Sequence, residues 1–118
     1  MTGNEGNGMG PGNFVAPEAL SALLHGDRPP LVLDVRRPDE YLGDNGHIDG
    51  ACLFPMDRLA EAMGELSGLE RRSFVMVCTD GAQSAQAAAA LNAAGFERVK
   101  VLQGGMRAWH EASLAVQR

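Results

Sequence analysis

Four short apolar runs constrain this chain more than any other feature. LVLDV (31–35), ACLFP (51–55), SFVMV (73–77) and RVKVL (98–102) are largely apolar stretches, each five residues long. Runs of that length and character are typical of strands buried on both faces of a sheet. Between them lie helical patterns. Pro17 suits a first helical turn, Leu20, Leu23 and Leu24 form one apolar face, and Gly26 can close that helix. PDEYLGD (38–44) has the makings of a single turn. Asp57 can cap a helix running to about Leu66, with Leu59, Met63 and Leu66 facing inward. Ser84–Ala94 is alanine-dense, with Gly95 as its stop and Phe96 placed for the accompanying apolar contact, and MRAWHEA (106–112) makes a last helix. Strands alternating with helices predict an α/β domain whose parallel sheet of four to five strands is flanked by helices on both faces. Such sheets put their sites at the C-terminal ends of strands.

Length and charge narrow the class further. The 118 residues fit one domain, with a core from residue 14 to 118 preceded by a Gly/Asn-rich stretch, 1–13, that reads as a disordered tail. A net charge of −5 disfavours nucleic acid and anionic membrane surfaces as partners. No apolar run approaches the roughly 20 residues of a membrane span, and the N-terminus lacks the features of a secretory signal. With Cys52 and Cys78 as the only cysteines, no disulfide framework is expected, and no His/Cys spacing fits a metal site. A reducing, cytoplasmic setting is the default.

Cys78 occupies the junction between the third apolar run and the alanine-rich helix. Backbone N–H groups of a tight strand-to-helix loop can form an anion-binding nest, and the helix N-terminus adds positive potential. Both favour the thiolate, the nucleophilic form of cysteine. The alternative is a buried, inert thiol at a strand end.

LVLDVRRPDEY (31–41), GHIDGA (46–51), VCTDGAQSA (77–85) and LQGGMRAW (102–109) occur in this order at these spacings. Together they resemble the rhodanese-like family, over about residues 14–114. The resemblance implies a sulfurtransferase in which Cys78 carries a persulfide, cradled by the backbone of Thr79, Asp80, Gly81, Ala82 and Gln83. It implies no metal and no organic cofactor. The implied partners are a small-molecule sulfur donor and acceptor, or a sulfur-relay protein, and the domain can work as a monomer. The loop is too short for the related phosphatases, whose arginine six positions after the cysteine is here Ser84.

The loop CTDGAQ departs from many rhodanese-like loops in carrying no Arg or Lys, while Asp80 adds a negative charge. A dianionic donor such as thiosulfate is disfavoured, and a persulfide or mercaptopyruvate is expected instead, with Arg36, Arg37 and Arg107 available to lend charge from neighbouring loops. Asp34 and Arg36 are read as a supporting ion pair and His47 as a loop-anchoring histidine. His25 and His110 are read as solvent-exposed, Cys52 as a buried inert thiol or else a resolving partner of Cys78, and Trp109 as a helix anchor. A non-catalytic module that binds a partner or carries sulfur passively is the competing function.

Overall fold

The computed structural model describes residues 13–118. The stretch read as a tail therefore lies, apart from Asn13, outside the described residues. The elements are β1 (Phe14–Val15), α1 (Pro17–Leu24), β2 (Leu31–Asp34), α2 (Pro38–Tyr41), β3 (Cys52–Leu53), α3 (Leu59–Glu65), β4 (Ser73–Val77), α4 (Ala82–Ala93), β5 (Arg98–Leu102) and α5 (Gly105–Glu111). A turn of 3₁₀ helix at Met56–Arg58 leads into α3. All strands are parallel, in the order β1-β5-β4-β2-β3.

The strand alternation divides the core in two. Phe74 and Met76 of β4, Leu33 of β2 and Val99 and Val101 of β5 point to one face, where they meet Leu59 and Ala62 of α3 and Ala87, Ala88 and Leu91 of α4. Val75 and Val77, Val32 and Leu102 point to the other, against Leu20 of α1 and Met106 and Trp109 of α5. The central strands β2 and β4 are thus covered on both sides, which is why they read as unbroken apolar runs. Cys78, one residue past β4, continues the α3/α4 face.

Several expectations need correction. β1 was not foreseen: Phe14 and Val15 pair with Val101 and Leu102, and two residues are too few to carry a pattern. The run ACLFP yields only Cys52–Leu53 as strand, at the edge of the sheet. Cys52 there is exposed rather than buried, because the edge strand has one neighbour and alternation turns Ala51 inward and Cys52 out. Two strand spacings, about 10 Å, separate the lines of β3 and β4, beyond the reach of a disulfide between Cys52 and Cys78. Asp57 lies inside the 3₁₀ turn, and Arg58 rather than Asp57 holds the cap position of α3, with no side-chain capping bond. His110 is only half exposed, and its Nε2 is buried without a partner among the described residues. His25 is exposed as read, bonded to the Ser21 carbonyl.

Candidate active site

The helix that follows Cys78 begins earlier than its alanine pattern indicates, at Ala82, with Gly81 in the cap position at φ +103°. A left-handed residue at this point favours glycine. It lets the chain reverse within three residues of Cys78, so that the first amides of α4 face back toward the strand end. The Gly81 N–H donates to Cys78 Sγ at 3.0 Å, and the Ser84 N–H donates at 3.3 Å. The first N–H groups of any helix lack intrahelical partners. Here the sulfur takes the place that a capping side-chain oxygen occupies elsewhere. Cys78 itself is buried, with about 1% of its surface exposed.

Asp80 does not face the sulfur. Its Oδ1 accepts the Ala82 N–H at 3.1 Å, so the carboxylate caps another orphan amide of α4 and stays at the exposed surface. Ala82 and Gln83, expected in the loop, form the first turn of the helix. Thr79 is exposed, and its carbonyl accepts the Arg107 N–H at 2.9 Å while the Cys78 carbonyl accepts the Met106 N–H at 2.8 Å. The start of α5 therefore holds the outer side of the loop. That approach needs glycine: Gly104 and Gly105 have φ of +75° and +62°, and a Cβ on Gly105 would lie 2.5 Å from the Cys78 carbonyl oxygen.

Asp34 and Arg36 form a buried pair. Arg36 Nη2 lies 2.8 Å from Asp34 Oδ2, Nε lies 3.0 Å from Oδ1, and Nη2 also donates to the Gly46 carbonyl at 2.9 Å. All these contacts are structural, tying the end of β2 to the loop before β3. His47 anchors that loop, as read: its Nδ1 lies 2.9 Å from the Tyr41 carbonyl, and its ring stacks on the Tyr41 ring at 3.7 Å. Burial, with the Asp34 charge adding, pushes the Tyr41 phenol above its ordinary range, and the hydroxyl donates to the Ala51 carbonyl at 2.6 Å. The Gly46–His47 segment also pairs with Gln117, so the end of the chain braces it.

Two cavities flank the loop. One, about 470 Å³, reaches Gln83 and is walled by Val35, Arg37, Met56, Asp57 and Arg58. The other, about 530 Å³, reaches Thr79, Arg107 and His110. The arginines expected to lend charge to the sulfur are mostly engaged. Arg36 is held by Asp34; Arg37 is paired with Asp39, whose carboxyl its hydrogen bond holds below the usual range. Arg107 shares its cavity with Glu40, Asp44 and Glu111. Arg58, not singled out from the sequence, is paired with Glu61. Ser84 was also missed as a sulfur ligand, since it was placed at the start of the helix; the signal that locates it is Gly81, which fixes Ser84 as the third residue of α4. Its Oγ is buried with no partner among the described residues.

A family model described as "Rhodanese-like domain" matches residues 16–112. The chain belongs to the rhodanese-like family. Thiosulfate sulfurtransferase GlpE of Shewanella oneidensis is 39% identical over 82 residues, 70% of this chain and 77% of that protein. The probable adenylyltransferase/sulfurtransferase MoeZ of Mycobacterium tuberculosis is 38% identical over 98 residues, covering 83% of this chain, which spans only 24% of MoeZ. Among solved structures, a rhodanese-like domain protein from Staphylococcus aureus superposes with a TM-score of 0.76 at 26% identity, covering 90% of this chain and 99% of that one. The rhodanese-like fold expected from the sequence is the fold observed. Among the described residues no helix is long and apolar enough to cross a membrane.

Proposed function

We propose that this domain is a sulfurtransferase in which Cys78 carries sulfane sulfur as a persulfide, loaded from a persulfide or another weakly charged donor. The observation that carries the reading is the convergence of the Gly81 and Ser84 N–H groups on a buried sulfur at the N-terminus of α4. Those donors stabilise the thiolate before transfer and the anionic persulfide after it, without a charged side chain.

The chemistry needs no external oxidant or cofactor. The Cys78 thiolate attacks the outer sulfur of R–S–SH; the Sγ–S bond forms, the donor S–S bond breaks, and RS⁻ leaves with the bonding pair. A thiolate or cyanide acceptor then attacks the outer sulfur of the Cys78 persulfide and regenerates the thiolate. This is a two-step scheme through a covalent intermediate. Gly81, Ser84 and the α5 start position the sulfur; Thr79, Asp80, Ala82 and Gln83 form the exposed rim around it.

Donor choice follows from charge. GlpE takes its name from thiosulfate, but Arg36, Arg37 and Arg58 near this loop are paired with Asp34, Asp39 and Glu61, Arg107 shares its cavity with Glu40, Asp44 and Glu111, and Asp80 adds a further negative charge. A dianion gains little at such a rim. The same balance suits a passive sulfur carrier, the second reading. Steady-state assays separate the donors: kcat/KM is expected to be higher for glutathione persulfide than for thiosulfate, and Gln83→Arg, an exposed change, is expected to raise kcat/KM for thiosulfate about tenfold through one added cation. Efficient thiosulfate turnover by the wild type, unmoved by Gln83→Arg, contradicts the donor assignment. Turnover with neither donor favours the carrier.

A further inference from the structure

At the end of the sheet away from Cys78, the loop before β2, the loop before β4 and the first residue of β5 come together. Strand register fixes this arrangement: Ser73 pairs with Arg98, and Leu31 pairs with Phe74. The result is a cavity of about 480 Å³ lined by Arg28, Arg71, Arg72 and Arg98, with Asp27 as the single acidic residue in its lining. These are four of the chain's ten basic residues, in a protein of net charge −5. None of the four forms an ion pair among the described residues, whereas Arg36, Arg37 and Arg58 each have a carboxylate partner. Four like charges gathered around the single carboxylate of Asp27 repel one another, and an anionic ligand relieves that repulsion. The rigid Pro29–Pro30 segment and the strand starts hold the walls in place.

A second cavity of about 440 Å³ opens from the first, sharing Arg28, Pro30, Ser73 and Arg98 with it. It adds Lys100, Leu23 and one carboxylate, Glu97. Leu23 is 47% exposed, one of two large apolar side chains so exposed among the described residues. The joint shape is a cationic chamber beside a partly apolar one.

We infer that this cleft is an oligophosphate-binding site, taking a di- or triphosphate group on Arg28, Arg71, Arg72 and Arg98 and any attached organic group against Leu23. Guanidinium groups match phosphate oxygens in bidentate fashion, and a concave site of this volume is the size of small-ligand sites. An acidic protein segment, by contrast, needs an extended cationic surface. The length of β4, about 16 Å, separates the cleft from Cys78, so a ligand there leaves the sulfur site open. The inference does not depend on the proposed sulfur chemistry.

Calorimetric titration of the wild type and of R71Q/R72Q with pyrophosphate and with ADP tests it. Both arginines are exposed, so an unchanged thermal melt is expected for the variant and verifies its fold. The expected result is binding of at least one oligophosphate that weakens about tenfold or more in the variant and falls with added salt. ADP binding more tightly than pyrophosphate identifies a nucleotide-like source; the reverse identifies free oligophosphate. Binding no tighter than that of sulfate, or equal in wild type and variant, overturns the inference. So does tighter binding of a hexaglutamate peptide than of either oligophosphate, which assigns the cleft to a protein partner.

Discussion

Cys78, Gly81 and Ser84 form the proposed sulfur site, and only the first two were open to reading from residue type. A cysteine after an apolar run and before a helix pattern marks a strand end, and a glycine three residues on marks the left-handed reversal that aims the helix at the sulfur. Ser84 contributes through its backbone, so its side chain offered little hint. The pair Asp34–Arg36 was legible as a strand-end ion pair. Its burial was not, because burial depends on the Gly46 carbonyl and the loop braced by Gln117. Asp34 is fully buried and Arg36 nearly so. Asp34→Asn leaves the guanidinium buried without its counter-charge, and should lower unfolding free energy by about 3–5 kcal/mol in urea titrations. A loss below about 1 kcal/mol places the pair among ordinary surface contacts.

Among the elements, the central strands β2, β4 and β5 were legible to within a residue: burial on both faces gives β2 and β4 nearly unbroken apolar sequence, and β5 shows buried Val99, Val101 and Leu102 alongside exposed Arg98 and Lys100. The edge strands β1 and β3 were not. Each has two residues and one neighbour, and the ladder that defines it belongs to the partner strand as much as to itself. The end of α4 was readable for a mechanical reason. Gly95 takes φ +100°, the Phe96 N–H donates to the Leu91 carbonyl at 3.0 Å, and the Phe96 ring meets Phe74 edge-on at 5.7 Å. Phe96→Ala removes that core contact and is expected to cost about 3–5 kcal/mol by chemical denaturation, a large share of the stability of a domain this size. At the other end of the sheet, α5 presses its first turn on the Cys78 loop through two glycines. Gly105→Ala forces a Cβ into the Cys78–Thr79 peptide and a strained φ. It should destabilise by about 1–3 kcal/mol or more and reduce sulfur loading beyond what the stability loss explains. Full loading in a destabilised variant shows that α5 supports the fold without positioning the sulfur.

Taken as a whole, the molecule separates its chemistry by the two ends of one parallel sheet. The C-terminal ends of the strands present an amide-lined sulfur between one charge-balanced and one acidic cavity; the N-terminal ends present four arginines with no ion pair among the described residues. The α/β class and the placement of Cys78 at a strand end followed from strand and helix order, since parallel sheets gather loops at the C-terminal strand ends. The arginine cleft did not, because Arg28, Arg71, Arg72 and Arg98 are spread over seventy positions and meet only through strand register. The claim that ranks above the rest is that Cys78 carries transferable sulfur. Intact mass of the wild type and of Cys78→Ser, after incubation with glutathione persulfide and removal of excess donor, tests it most directly. A sulfur-carrying Cys78 gives one added sulfur on the wild type, cleared by cyanide and absent from Cys78→Ser. No added sulfur on the wild type, or equal labelling of the variant through exposed Cys52, contradicts it.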